Sequence, residues 1–310
     1  MSARTVLAGL ALAAIVAGGL PAAQAQTPAD QPVNSGPIDP ASWKRGPLYA
    51  PPAQPIIWNP VKLAMAAGKE WALGTQGPFS LADYCKAATK TDGGVEYPAT
   101  WTESQHSASD FTQMWAMWAQ PCAFVPIATP GVYTPGAHLP GMRPATLLKR
   151  DLQKGLDGGA MVFMVPTVDS VEEAKAIIDL VYFPPIGHRT YGPSQAEKIY
   201  ANVPGGYRQT FNDNVVLVLM IETILGSQAA KDIAALPQVF ALFAATSDLG
   251  NFAGYLDEDA DYEKIIRNAY VAAKSNNKAA CSAFRFRGRI NKIAAVPPVP
   301  FNYEWNCYQN

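Results

Sequence analysis

The chain has 310 residues, of which 49% are hydrophobic and 16% charged, with a formal net charge of −1. That length suits one large domain or two ordinary ones, and so apolar a composition excludes general disorder. The near-neutral balance gives no electrostatic reason to expect nucleic acid or an anionic membrane surface as a partner.

Residues 1–25 read as a removable secretory signal. Arg4 comes first, an apolar stretch of Ala, Leu and Val follows, and small residues end it at Ala23-Gln24-Ala25. Cleavage after Ala25 would leave an exported protein, periplasmic or secreted, with no membrane attachment; an uncleaved anchor needs a longer apolar span. Only Arg4 among the charged residues is lost, so the mature net charge becomes −2 instead of −1. Residues 26–58 form a proline-rich arm, unsuited to a helix or a central strand. The domain proper is expected over 59–310. Its cysteines are Cys85, Cys122, Cys281 and Cys307. Export permits disulfides, and a Cys281–Cys307 bridge would tie the tail to the body; buried free thiols are the alternative. No C-x-x-C pair and no Cys beside His occurs, so structural zinc has little support.

From residue 59 the texture alternates. "NPVKLAMAAGK" predicts a short helix with Asn59 as N-cap, Pro60 in the first turn and Gly68 as the stop. "WALGT", "PATWTES", "CAFVPIA", "AMVFMVP", "VVLVLMIE", "VFALFAAT" and "KAACSAF" read as strands, with helical segments between them. The helix after "AMVFMVP" opens on a Ser-x-x-Glu box at Ser170 and Glu173. Continuous apolar strands alternating with helices predict a parallel sheet covered on both faces. A (β/α)8 TIM-type barrel is the leading architecture. A doubly wound open sheet competes, but no Gly-rich phosphate loop follows the first strand. Residues 129–144, with His138 and Tyr133, read as a long inserted loop, either a lid or mobile surface. Residues 182–194, with His188 and Arg189, read as another Pro/Gly-rich loop.

Two consecutive strands run into acids: Glu222 after "VVLVLMI" and Asp248 after "VFALFAATS". A barrel gathers the C-terminal ends of its strands at one mouth, and chemistry collects there. Two carboxylates converging in a poorly solvated mouth suit a cation of Mg²⁺ type, with water and substrate oxygens completing its shell. Helix N-caps would explain the same pattern equally well. "ATWTESQHS" places Glu103 and His106 at another strand end, and His suits proton transfer near neutral pH.

The run "LDGGAMVFMVPTVDSVEEAKAIIDLVYFPPIGHRTYGPS", followed by "MIET" and "TSDLG", resembles the HpcH/HpaI aldolase family, related to the citrate lyase β-subunit. The resemblance implies a (β/α)8 barrel, usually oligomeric, that binds Mg²⁺ or Mn²⁺. It further implies carbon–carbon lyase chemistry of the aldol type on a pyruvate-like 2-oxo acid, with an aldehyde or thioester as the second partner and a metal-stabilised enolate. Glu222 and Asp248 would be the metal ligands and His106 the general base. Asp157 of the LDxGA turn would orient His106, from the same or a neighbouring subunit. Ser247, beside Thr246, would hold the substrate carboxylate, with Glu103 also placed at the substrate; Arg189 would be a substrate or subunit-interface contact, or else an Arg bonding the carbonyls of its own loop. The sequence departs from the family pattern where Phe124 replaces an Arg at the end of the third strand. Arg143 is the residue that would stand in for it, or else a loop-bracing Arg. Residues 284–310 do not read like an eighth β/α unit, so an irregular closure of the barrel is expected. The alternative function is an exported small-carboxylate binding protein on the same barrel, without catalysis.

Overall fold

In the computed structural model of the protein the described residues are 52–67, 71–72, 76–77, 80–88, 91–92, 95–96, 99–106, 110–120, 134–138, 145–256, 259–283 and 305–308, all within the unit Gly46–Asn310. In chain order the first half holds α1 (Pro60–Ala66), β1 (Trp71–Ala72), β2 (Gln76–Gly77), α2 (Leu81–Ala88), β3 (Thr91–Asp92), β4 (Val95–Glu96), β5 (Ala99–Glu103), α3 (Phe111–Trp118) and β6 (Thr134–His138). Then come α4 (Ala145–Gly158), β7 (Val162–Val165), α5 (Val171–Val181), α6 (Gln195–Ile199), α7 (Tyr207–Asn214) and β8 (Val216–Ile221). The remainder is α8 (Ile224–Ala234), β9 (Ala241–Ala244), α9 (Thr246–Ala253), α10 (Ala260–Ser275), β10 (Ala279–Ala283) and β11 (Trp305–Tyr308).

One nine-stranded sheet has the order β1-β11-β10-β9-β8-β7-β6-β5-β2. From β2 to β10 all neighbours are parallel; β11 is antiparallel to both β10 and β1. The order never reverses, which is the signature of a barrel and not of a doubly wound sheet. Closure follows from chain length. Strands β1 and β2 end the list, yet only residues 73–75 separate them, a reach of at most about 14 Å. Nine strands laid flat would span roughly 38 Å, so the sheet must curl until its ends meet. The eighth position is filled by the antiparallel pair of β11 with β1, which is the irregular closure expected from residues 284–310.

The core divides along the two faces of the strands. Val162, Met164, Val216, Val218, Met220, Ala241 and Phe243 fill the barrel interior. Phe163, Val165, Leu217, Leu219, Ile221 and Leu242 pack outward against the helices. Both faces are dry, so an apolar run without alternation is what such strands require. Helix α1 plugs the interior, contributing Val61 and Met65. Its start is as expected: the Asn59 side chain accepts from Val61 N–H at 2.9 Å with Pro60 in the first turn, while Gly68 lies outside the described residues. The Ser170 box also forms. Ser170 Oγ accepts from Glu173 N–H at 3.2 Å, and the Glu173 carboxylate reaches back to Asp169 N–H at 2.8 Å.

Two expectations change. "CAFVPIA" lies outside the described residues, and the strand between β5 and β7 is β6, drawn from the segment read as an inserted loop. Pro135 and Gly136 argue against a central strand, and only the parallel partners on both sides enforce one. The end of the proline-rich segment is also part of the fold. Trp58 is fully buried, its backbone N–H donates to Asn214 Oδ1, and its indole N–H donates to Thr210 Oγ1 at 2.8 Å. Residues 1–51, including the expected signal, lie outside the described residues.

Candidate active site at the barrel mouth

The period of two along β8 decides where Glu222 goes. Val216, Val218 and Met220 face the interior, so the next residue in phase, Glu222, turns inward just past the C-terminal end of the strand. Its carboxylate is 1% exposed. Oε2 accepts from both Thr167 N–H at 2.5 Å and Thr167 Oγ–H at 2.9 Å. Thr167 lies two residues past the end of the neighbouring strand β7 and has a φ of +53°, a left-handed conformation that a β-branched residue adopts only under constraint. One turn further, Thr223 caps α8 through Gly226 N–H at 3.0 Å and donates its hydroxyl to Asp169 at 2.5 Å. Gly226 is needed because a Cβ there would sit 2.7 Å from the Val168 carbonyl. Sequence reading passed over Thr167 and Asp169; the P-T-V-D after a buried strand was the available signal.

The adjacent strand β9 is in register with β8, Ile221 opposite Ala244, and Ala245 N–H donates to the Ile221 carbonyl at 3.2 Å. The first turn of α9 therefore starts beside Glu222 and carries Thr246, Ser247 and Asp248. Ser247 is exposed, Asp248 half-buried and Thr246 buried. Thr246 Oγ1 is a buried hydroxyl without a hydrogen-bond partner, while its carbonyl is taken by Tyr262. A two-carboxylate set with a spare hydroxyl fits a hard divalent cation that keeps positions for water and substrate oxygens. Among the described residues no group of three or more His, Cys, Asp and Glu side chains could hold a metal alone.

On β5, Ala99 faces the interior and Glu103 follows in phase. Its buried carboxylate accepts from Gln105 N–H and from His106 N–H at 3.0 Å, so it shapes the turn that carries the exposed His106. These bonds give Glu103 a positioning role for that turn. Strand β6 ends with His138 in register with Glu103 and Met164. A residue read as part of a lid thus occupies a rim position of the barrel.

Two expected site residues lie elsewhere within the chain. Asp157 is in the last turn of α4, which leads into the start of β7, the end opposite the mouth. Its carboxylate accepts from Gln153 at 2.7 Å and pairs with Arg189 at 3.4 Å. Arg189 is buried with its guanidinium 4.4 Å from the rings of both Phe183 and Phe211, and it donates to the Tyr207 hydroxyl. It is a brace for the 182–194 loop and not a substrate contact in its own chain. The physical reason is direction. Helices run antiparallel to the strands, so the C-terminal ends of α4 and α5 arrive at the bottom of the barrel. Burial pushes the Tyr207 hydroxyl up despite the Arg189 charge, so it stays a neutral acceptor. His188 pairs with Asp179 on the exposed side of the same loop. Arg143, Phe124 and Tyr133 lie outside the described residues.

The HpcH/HpaI aldolase/citrate lyase family model matches residues 140–293. A 2-dehydro-3,6-dideoxy-6-sulfogluconate aldolase of Pseudomonas putida is 35% identical over 126 residues, 40% of this chain and 49% of the relative. A hydroxypyruvate/pyruvate aldolase of Roseovarius nubinhibens is 31% identical over 132 residues, 42% of this chain and 51% of the relative. The chain thus spans about half the length of the curated relatives it matches. A crystal structure of an HpcH/HpaI aldolase/citrate lyase family protein from Burkholderia cenocepacia superposes with a TM-score of 0.62 at 22% identity, covering 76% of this chain and 89% of the other, which establishes the fold. Residues 140–293, set in a barrel of the same kind, are an HpcH/HpaI aldolase/citrate lyase domain.

Proposed function

We propose that the protein is a divalent-metal-dependent carbon–carbon lyase of the aldolase type acting on a pyruvate-like 2-oxo acid. The observation that carries this reading is the buried Glu222 carboxylate at the mouth, gripped by Thr167, beside the α9 turn that presents Thr246, Ser247 and Asp248. Glu222 and Asp248 would hold Mg²⁺ or Mn²⁺, which when bound supplies Lewis-acid polarisation of a 2-oxo group. The first turn of α9 offers the exposed Ser247 and backbone N–H donors to a carboxylate. Thr246 Oγ–H has donor capacity toward the same ligand. His106, at a rim position on a turn held by Glu103, would take or return the proton at the carbon next to the keto group. Asp157 would act there only from a neighbouring subunit, which makes a homo-oligomer part of the proposal.

The same remoteness of Asp157 favours a second reading, a 2-oxo-acid or small-carboxylate binding protein without catalysis. Exchange of pyruvate methyl protons in D2O, followed by NMR, separates the two. With Mg²⁺ or Mn²⁺ the lyase exchanges them, and Glu222→Ala abolishes both the exchange and the thermal stabilisation by metal. Binding of pyruvate without exchange assigns the second reading. An unchanged metal-induced melting shift in Glu222→Ala removes Glu222 from the ligand set.

We also infer that the protein is exported after cleavage near Ala25. In support, Cys85 and Cys281 are disulfide-bonded, and β-register sets Cys281 directly opposite Cys307. The pairing inferred is Cys281–Cys307, suited to an oxidising compartment. Intact mass of the protein from the periplasmic or culture fraction is expected to match a chain starting at Gln26, with Cys281 and Cys307 joined in a cystine on peptide mapping. A full-length, fully reduced chain would refute export.

A further inference from the structure

A second concave site lies at the other end of the barrel. A cavity of about 260 Å³ opens where β8, β9 and β10 begin, lined among others by Lys62, Tyr182, Asn212, Gln238, Phe240 and Lys278. The six residues of β8 separate it from Glu222, a distance of roughly 20 Å. It therefore shares no residue with the mouth.

What distinguishes the cavity is its charge. Lys62 comes from the plug helix α1, and Lys278 immediately precedes β10. Lys62 Nζ donates to the Asp213 carbonyl at 2.6 Å and stands 5.9 Å from the Phe240 ring centroid. Lys278 Nζ donates to the Pro237 carbonyl at 3.1 Å. Each ammonium has three donors, so each retains N–H groups beyond its one carbonyl. Neither lysine takes part in any ion pair among the described residues. The neutral polar groups around them are committed elsewhere. Asn212 is engaged in both directions by the Phe183 backbone, and the Tyr182 hydroxyl donates to the Gln238 carbonyl.

Two partly buried cations facing one cavity repel each other with reduced screening. Lys62 shows the consequence. Burial pushes its ammonium down to about 8, the Asp213 charge opposes this, and Lys278 adds to the depression. Burial lowers Lys278 as well. A ligand with two negative charges would reverse both effects and accept the remaining N–H groups as charge-assisted hydrogen bonds.

We propose that this cavity on the N-terminal face binds a small oxyanion of two negative charges, phosphate or a short dicarboxylate, between Lys62 and Lys278. The site does not depend on the lyase reading, and its test is run without metal. The full chain, in EDTA, is titrated with inorganic phosphate and separately with succinate, against NaCl of equal ionic strength, while the melting temperature is followed. A saturable rise beyond the NaCl control is expected with at least one of the two, and the one that saturates first identifies the ligand class. Lys278→Gln, a partly exposed side chain, and Lys62→Gln are each expected to weaken the apparent affinity at least about tenfold. Glu222→Gln is expected to leave it unchanged. No saturable rise with either anion overturns the site. So does a rise that survives both lysine substitutions, or one that Glu222→Gln removes.

Discussion

Thr167 shows how the mouth is held at the scale of one residue. Its left-handed backbone aims both its N–H and its hydroxyl at the same oxygen of Glu222. Strain of this kind persists only where neighbours over-determine it, and here the Glu222 carboxylate is part of what does so. Lys62 makes the opposite case, a side chain whose surroundings disfavour its charge. Its folded-state pKa is about 8 against an ordinary value of 10.5. Between those values the unfolded chain binds the proton and the folded chain does not, so stability rises with pH across that window. Above pH 10 the sign turns. Burial raises the hydroxyls of Tyr182, Tyr200 and Tyr207, and the unfolded chain loses those protons first. Urea melts from pH 8 to 10 are expected to show rising stability, by no more than about 1.4 kcal/mol per pH unit from this group. Lys62→Met is expected to flatten the slope.

At the scale of elements, the Asn214 amide is the centre of the bonds that fasten the segment before α1 to α7. Asn214 Oδ1 accepts from Trp58 N–H at 2.7 Å and Asn59 N–H at 2.9 Å. Its Nδ2 donates to the carbonyls of Ile56 and Thr210, both at 2.8 Å. Every capacity of the side chain is used in a buried place, so truncation orphans several backbone groups at once. Asn214→Ala is expected to cost about 3 kcal/mol or more in chemical denaturation, and to expose the chain before α1 to proteolysis. The plug helix would loosen with it, because Asn59 also donates to the Asn214 carbonyl at 2.8 Å.

At the scale of the whole molecule, the barrel depends on its last strand. Among the described residues, strand β11 is the only link between β10 and β1 in the sheet, and without it the parallel strands are left with an open edge. A Cys281–Cys307 bridge would fasten β11 at the register position where the two residues face each other. Cys307→Ser is expected to lower stability by about 2–4 kcal/mol under oxidising conditions and to lose its effect under reducing ones. Equal melting curves for the variant and the parent in oxidising buffer would remove the bridge from the account of closure.

The sequence by itself determined the parallel α/β architecture, the helix starts at Asn59 and Ser170, and the strand-end positions of Glu222, Glu103 and His106. Each follows from local signals: apolar runs, caps, and a period that carries polar residues to the ends of buried strands. What only the tertiary structure decided was long-range. Thr134–His138 became a strand because two parallel neighbours complete its hydrogen bonds, against its Pro and Gly. Trp58 became core because Asn214 and Thr210, more than 150 residues away, satisfy its polar groups. Asp157 and Arg189 were sent to the bottom of the barrel because helices return antiparallel to the strands, a direction that a motif does not carry. Closure through β11 was open until the fold brought β1 and β11 to one seam, since strand pairing is specified by partners and not by the strand alone.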